Sequence, residues 1–155
     1  MRPLILATIV VAFPLAASGQ IMVGPEFQVN TYTTSAQAGP SVSHGSDGSF
    51  VVVWQSYGQD GSGAAVEGQR YDSTGTPSGD EFQVNSYTTN SQYNPSVSHG
   101  SDGFFVVVWE SYEQDGSGSA VEGQRFCSDS SAVCAEIFAD GFESGDTSAW
   151  SNAVP

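Results

Sequence analysis

The sequence contains no lysine and only three arginines, and one of these, Arg2, stands at the very start of the chain. Seventeen carboxylates outnumber these cations, so the formal net charge at pH 7 is −14. Proteins that bind nucleic acid or anionic lipid heads need lysine and arginine to contact phosphates. The charge balance therefore excludes both classes of partner. It leaves metal cations, neutral polymers and proteins, or a charged surface that serves only to keep the chain in solution.

Long apolar runs are also scarce. The only one, at 4–17, follows Arg2 and precedes a group of small residues. This order is typical of a secretory signal peptide, and a membrane anchor is the alternative. The run is short for a bilayer span, which takes about 20 residues. We predict a signal peptide at 1–19 with cleavage near Gly19. The remaining chain, which has no further apolar run, is then secreted or held in the periplasm or at the cell surface.

Cysteine occurs only twice, as Cys127 and Cys134. In an exported protein, a close pair of this kind predicts one disulfide. Closing so short a loop contributes about 2–3 kcal/mol in the chain-entropy model. A zinc site is less consistent with the sequence, because zinc takes four nitrogen or sulfur ligands and no second Cys or His pair lies nearby.

Helical periodicity is absent, and the 18 glycines disfavour long helices. The chain has instead an internal duplication. Residues 26–70, the first copy, align without gaps to residues 81–125, the second copy, and the two differ at nine of 45 positions. A regular internal period is typical of arrays, solenoids and propellers.

Each copy contains four segments with the pattern of a β-strand, which in the first copy read EFQVN, PSVSH, FVVVWQSY and AAVEGQRYD. In the third segment Phe50, Val52 and Trp54 share one face, while Val51 and Val53 point to the other. Apolar residues on both faces require cover on both sides. The sequence therefore predicts an all-β protein of two four-stranded antiparallel units, in which one copy covers a face of the other.

These segments, with "PSVSHGSDGSFVVVWQS" and "QDGSG", resemble a tandem repeat of about fifty residues in bacterial surface and secreted proteins. The first of the two is also similar to propeller blades of TolB-like proteins. The resemblance implies blade-like units at 24–78 and 79–126. Closed propellers use about 4–8 blades, so two cannot close a ring. An incomplete propeller, a two-sheet sandwich, one part of an oligomeric ring and a shortened descendant of a longer array all remain open.

The end of the chain, "IFADGFESGDTSAWS" at 137–151, resembles a C-terminal tail found on otherwise unrelated secreted proteins of Gram-negative bacteria. The resemblance implies a sorting or attachment signal and a Gram-negative source. The alternative is a final strand that covers an open sheet edge with four apolar side chains: Ile137, Phe138, Phe142 and Trp150. We assign 127–155 to the disulfide loop and this tail.

The two histidines, His44 and His99, occupy equivalent positions in the two copies. Ser43, His44 and Asp47 have the residue types of a nucleophile, a base and an orienting acid. Serine and aspartate are so frequent here that such a trio is expected by chance, and no nucleophile-elbow pattern surrounds any serine. We therefore predict turn histidines bonded to the local backbone and no catalytic residue.

Paired carboxylates are the other candidates for chemistry, because glycoside hydrolases use two of them. The pairs are Glu67 with Asp60, and Glu122 with Asp115. Two small units offer little cleft, so we expect the two glutamates to neutralise Arg70 and Arg125 of the same or a neighbouring strand.

Calcium is the most plausible metal, because it favours carboxylate and loop oxygens. The candidate ligands are Asp60, Asp115 and Glu113. Their spacing matches neither an EF-hand loop nor the Gly-rich nonapeptide, and Asp-Gly is an ordinary hairpin pair. We therefore predict no cofactor, with structural calcium as the alternative.

The sequence thus favours a secreted, acidic, non-enzymatic repeat protein that acts as an adhesin-like or scaffold module at the cell surface. The alternatives are a carbohydrate-binding module and an extracellular glycoside hydrolase. Two converging carboxylates in a pocket favour the hydrolase, and a row of exposed tyrosines on one sheet favours sugar binding. An open edge strand favours assembly with a protein or polysaccharide partner, including a homo-oligomer.

Overall fold

The computed structural model describes residues 19–100 and 103–127. Almost all of the predicted signal peptide and the whole C-terminal tail lie outside the described residues, and so does Cys134. Cys127 is the last residue of the last strand. Its predicted disulfide with Cys134 therefore stays a prediction, and so does the sorting signal.

The described chain contains seven β-strands and no helix, which confirms the all-β prediction. All pairings are antiparallel, and the strands form two open sheets of order β1-β2-β3-β4 and β5-β6-β7. The strands are β1 Gln37–His44, β2 Phe50–Tyr57, β3 Ala64–Tyr71, β4 Phe82–Gln83, β5 Gln92–His99, β6 Phe104–Tyr112 and β7 Ser119–Cys127. Among the described residues, no helix has the length and apolar character needed to cross a membrane.

The Phe-to-Trp segments form β2 and β6, which lie inside their sheets with a partner on each side. Val51 and Val53 point to one face of the first sheet and are fully buried, while Trp54 lies on the opposite face. The predicted alternation along this strand is therefore confirmed, as expected for a period of two residues.

An apolar layer joins the two sheets. One face of the first sheet supplies Val51, Val53 and Val66 to this layer. The opposing residues, which come from the second copy, are Val84, Val97, Phe105, Val107 and Trp109. Burial of each such side chain contributes roughly 1.5–3 kcal/mol. The prediction that one copy shields a face of the other is thus confirmed.

The first predicted segment of each copy departs from the predicted arrangement. Residues 26–30 form no strand, whereas the same five letters in the second copy supply β4, which pairs with β3 of the first sheet. The fourth strand of a sheet thus comes from the following copy. The physical reason is that a strand needs an unpaired edge, and β3 offers one to the segment that follows it. In the described residues the second sheet accordingly has three strands rather than the predicted four.

The duplication keeps special backbone positions as well as apolar ones. The register of β1 on β2 shifts between Ala38 and Ser41, and Gly39 within this bulge has a φ of 59°. The second copy has Asn94 at this position, with a φ of 54°. Glycine and asparagine both tolerate left-handed backbone, so this substitution preserves the bulge.

Candidate functional site

The trio of Ser43, His44 and Asp47 does not form a catalytic arrangement. His44 Nδ1 lies 3.2 Å from its neighbour's carbonyl, Gly45 O, as predicted for a turn histidine. Asp47 Oδ1 accepts hydrogen bonds from the Ser49 amide (3.0 Å) and hydroxyl (2.7 Å), and these bonds lower the pKa of Asp47. The Ser43 hydroxyl accepts from the His99 amide at 3.0 Å. Each member therefore serves a turn or the contact between the sheets.

His99 belongs to a polar recess between the two sheets. Its ring packs on Phe105, with centroids 5.4 Å apart, and both ring nitrogens are buried without a hydrogen-bond partner among the described residues. The predicted bond to the local backbone is therefore wrong for His99, because the ring turns into the contact between the sheets. The recess has a volume of about 170 Å³ and is lined by Asp47, Ser49, Phe50, Arg70, Tyr71, Asp72, Ser78 and His99. Asp72 already accepts from the Thr74 hydroxyl and the amides of Thr74 and Thr76, which lower its pKa. Both carboxylates are thus committed to their own turns.

Glu67 and Asp60 do come near each other, but not across a cleft. The Glu67 side chain is only 3% exposed, so a polymeric substrate has no access to it. Burial raises the pKa of Glu67 to about 7, with smaller contributions from the negative charges of Glu81 and Asp60. The expectation that Glu67 neutralises Arg70 gains no support from these causes. Residues three apart on a strand point to opposite faces, so the Glu67 and Arg70 side chains diverge.

Glu81 ties the start of the first copy to this buried cluster. Its Oε2 accepts from the Thr31 amide (2.7 Å) and hydroxyl (2.9 Å), and its Oε1 accepts from Gln59 Nε2 (2.8 Å). Gln59 in turn accepts from the Ser56 hydroxyl at 2.6 Å. This network holds Thr31, which follows the segment at 26–30, next to the first sheet although that segment is not a strand.

The calcium candidates lie in hairpin loops and are not gathered at one point. Asp60 and Asp115 occupy equivalent loops, and each accepts a 3.0 Å hydrogen bond from the amide two residues later. Glu113 opens the second loop with a φ of 57°. Within 19–100 and 103–127, no three acidic, histidine or cysteine side chains form a group suited to a metal.

The tyrosines do not form an exposed row on one sheet. The two that are exposed, Tyr57 and Tyr112, end the central strands of different sheets. Tyr71 is buried, and the other three are half-buried: Tyr32, Tyr87 and Tyr93. Aromatic stacking on a sugar chain would need several rings along one face, and this arrangement offers single rings.

The outer side of the second sheet carries exposed valines, which we call the back surface: Val106, Val108 and Val121. They are 42%, 40% and 78% exposed. Their equivalents in the first copy are Val51, Val53 and Val66, all of them 0% exposed in the layer between the sheets. The back surface is therefore equivalent to the apolar face by which the first sheet packs on the second. In the described chain no sheet packs on the back surface.

The outer side of the first sheet, which we call the front surface, is the second open apolar surface of the described chain. It consists of Phe27, Val42 and a recess whose lining includes Val29, Asn30, Val52 and Trp54. Phe27 is 57% and Val42 65% exposed, whereas Val97, the equivalent of Val42, is only 8% exposed. The recess has a volume of about 170 Å³. Apolar side chains that the second copy buries are thus partly open in the first.

The edge of β7 is the third open feature. In the first sheet the edge of β3 pairs with β4, as Glu67 lies opposite Gln83 and Gly68 opposite Phe82. The equivalent edge of β7, at Glu122 and Gly123, pairs with no strand of the described chain. An unpaired edge is a template for a further strand.

Sequence reasoning identified the central strands but not these surfaces. The duplication suggests that equivalent residues of the two copies are equally buried. They are not, because in the described chain each copy has a neighbouring sheet on only one of its two faces. The chain matches no protein-family model, no curated protein and no solved structure. Function therefore has to be inferred from the surfaces themselves.

Proposed function

We propose that the chain is a non-enzymatic interaction module, a scaffold or adhesin-like unit that works outside the cytoplasm of a Gram-negative bacterium. The single observation that carries this proposal is the pair of open apolar surfaces on an otherwise acidic molecule. Apolar side chains clustered on a soluble protein mark sites where another molecule binds. Here they lie on β-sheets, beside an unpaired strand edge.

The charge of the chain narrows the class of partner. With −14 formal charges and no lysine, the molecule repels phosphate-rich polymers and anionic lipid. Valine offers neither hydrogen bonds nor an aromatic ring for sugar recognition, and Phe27 supplies only a single strongly exposed ring on these surfaces. A protein surface of complementary apolar shape fits these faces best, with a free strand edge supplying backbone hydrogen bonds.

The carboxylates support the same reading. Asp47, Asp60 and Asp72 each accept hydrogen bonds within their own turns, and Glu67 is buried. None of them stands opposite another across an open cleft that could hold a glycoside. The hydrolase alternative therefore lacks an observation in its favour.

The proposal is tested by binding of the fluorescently labelled chain, residues 20–155, to intact Gram-negative cells in flow cytometry. We expect saturable binding that is lost when Val106 and Val108 are both replaced by arginine. Both side chains are already solvent-exposed, so the variant should fold with an unchanged circular dichroism spectrum. Ser73→Arg, in an exposed turn, is the control for the added charge and should bind as the wild type does.

Two outcomes would contradict the proposal. Competition by soluble polysaccharide with no effect of the valine substitutions would indicate a sugar-binding module. Release of reducing ends from polysaccharide, abolished by Glu67→Gln, would indicate a hydrolase.

A further inference from the structure

We propose that the partner of this module is a second copy of the same chain, bound head to tail, with the back surface of one molecule on the front surface of the next. The inference rests on the proposed function and deepens it by naming the partner. It starts from the contact between the two copies inside one chain, which already shows what covers each of these faces.

Strand pairing provides the first part of the match. Inside the chain, the Val84 amide donates to Val66 O (2.8 Å), and the Val66 amide donates to Asn85 Oδ1 (2.7 Å). The segment at 81–85 that makes these bonds reads EFQVN, and 26–30 reads EFQVN as well. The strand that receives it reads VEGQR at 66–70, and β7 reads VEGQR at 121–125. The same bonds are therefore available between 26–30 of one molecule and β7 of another.

The Asn30 side chain already makes the hydrogen bond that Asn85 makes in the internal pairing. Its Nδ2 donates to the Tyr32 carbonyl at 2.8 Å, and Asn85 makes the equivalent bond to the Tyr87 carbonyl at 2.9 Å. This bond orients the Asn30 side chain as that of Asn85 is oriented when it accepts from a β3 amide. This side chain then loses little ordering entropy on association, which favours binding.

The apolar side chains complete the match. Val66 is fully buried in a cluster that includes Val84, Val107 and Trp109. The equivalents of these three residues, Val29, Val52 and Trp54, line the recess of the front surface. Val121, the equivalent of Val66, is 78% exposed. Insertion of Val121 into the recess of a second molecule would reproduce the internal contact.

A glycine and a phenylalanine repeat the same fit. The Phe82 ring lies so close over Gly68 that a Cβ there would be 2.7 Å from Phe82 Cζ. In the described residues no ring covers Gly123, where the nearest atom to such a Cβ is Val108 Cγ1 at 3.3 Å. Phe27 packs on Tyr71 at 5.4 Å, as Phe82 packs on Phe126 at 5.5 Å. Phe27 is therefore placed to cover Gly123 of a neighbour.

Serine hydroxyls on the back surface are also equivalent to serines that make contacts between the two sheets. The amides of Val97 and His99 donate to the hydroxyls of Ser41 (3.3 Å) and Ser43 (3.0 Å) across the sheets. The equivalent hydroxyls, on Ser96 and Ser98, are exposed on the second sheet. They are positioned to accept from amides of β1 in the next molecule.

A second copy fits β7 better than the C-terminal part of the same chain does. At the spacing of the duplication, 81–85 corresponds to 136–140, which reads EIFAD and shares only its glutamate with EFQVN. Moreover, a segment that covers β7 leaves the front surface open, whereas a second copy covers one surface of each kind. The contact uses two different surfaces, so it is heterologous and propagates until a ring closes or a filament grows.

The test is sedimentation velocity on residues 20–155 over a range of concentrations. We expect assemblies larger than a dimer. They should strengthen with salt from about 0.15 to about 1 M, because salt screens the repulsion between acidic copies. Val42→Arg on the front and Val121→Arg on the back should each weaken association at least about a hundredfold, since an unpaired charge buried in an interface is strongly unfavourable. Ser73→Arg should assemble as the wild type does.

Mixing the two arginine variants distinguishes a head-to-tail contact from a symmetric one. The Val42→Arg chain keeps its back surface and the Val121→Arg chain keeps its front surface, so an equimolar mixture should form a 1:1 dimer and nothing larger. A symmetric contact between like surfaces would not be restored in this way, and that result would overturn the proposal.

Three further results would overturn it. One is a wild-type chain that stays monomeric at every concentration, and another is a mixture that stays monomeric. The third is association that appears only when the chain is ended at Cys127, which would show that residues 128–155 occupy the β7 edge. If the monomeric chain still binds cells through Val106 and Val108, the proposed function stands and only the choice of partner is wrong.

Discussion

Replacement of Glu67 by glutamine should stabilise the protein, and by an amount that depends on pH. Glu67 is 3% exposed, and burial together with the charges of Glu81 and Asp60 raises its pKa from 4.5 to about 7. The folded chain therefore binds a proton at Glu67 that the unfolded chain has released throughout the range between these two values. The contribution of Glu67 to stability is therefore most favourable below pH 4.5, falls as the pH rises from 4.5 through 7, and is constant above that range.

The magnitude follows from the two pKa values. A difference of one pKa unit corresponds to 1.36 kcal/mol, so Glu67 lowers the free energy of unfolding by at most about 3 kcal/mol above pH 8. At pH 5 the loss is below about 1 kcal/mol, because the unfolded carboxyl is then itself partly protonated. Glu67→Gln is neutral and nearly the same shape, so it should recover about 2–3 kcal/mol at pH 8 and little at pH 5.

The assay is urea unfolding at pH 5, 6, 7 and 8, monitored by tryptophan fluorescence. Trp54 is a suitable reporter because it is paired with Glu67 on the neighbouring strand. The quantity to compare is the difference between variant and wild type at each pH, which removes the contribution of all the other acids. Glu122→Gln is the matched control in the second copy and leaves Glu67 unchanged, so the slope due to Glu67 should persist. An equal effect of Glu67→Gln at pH 5 and pH 8 would refute the reasoning.

Three other predictions concern packing and the disulfide. Phe82→Ala should lower the free energy of unfolding by about 3–4 kcal/mol in the same urea assay, because the Phe82 ring packs over Gly68 and against Phe105 and Phe126 of the second sheet. The equivalent Phe27→Ala should lower it by less than about 1 kcal/mol in the monomer, since Phe27 is 57% exposed. Equal losses for the two variants would contradict this role of Phe82. Gly68→Ala should destabilise more than Gly123→Ala, because its Cβ would meet Phe82 at 2.7 Å rather than Val108 at 3.3 Å, and a thermal melt that ranks them the other way would count against the packing. Non-reducing peptide mass spectrometry of the purified chain should recover residues 127 and 134 in one linked species, and separate free thiols would exclude the disulfide.

The strands could be read from the sequence because a period of two residues depends only on local chain geometry. Phe50, Val52 and Trp54 had to share a face, and the opposite face had to be buried as well. Turn chemistry was equally local. His44 bonds to the neighbouring carbonyl, and Asp47 and Asp60 accept from amides two residues later, as their positions in Ser-, Asp- and Gly-rich loops indicate.

The buried acid could not be read in the same way. Glu67 and Glu122 occupy identical local sequences, VEGQR, yet only Glu67 has β4 beside it and Glu81 within electrostatic reach. Its raised pKa arises from contacts between residues that lie far apart in sequence. Arg70 follows Glu67 by three residues on the same strand and is not among the causes of the shifted pKa, because residues three apart on a strand point to opposite faces.

The sequence by itself determined the strands, their faces, the acidic composition and the internal similarity of 26–70 to 81–125, because alternation, charge and repetition are properties of the residues in order. The tertiary structure decided which copy of each residue is buried. Val66 and Val121 have the same neighbours in sequence, but one has a sheet packed on it and the other faces solvent. Burial depends on which residues pack against a side chain, and no sheet of the described chain packs against Val121.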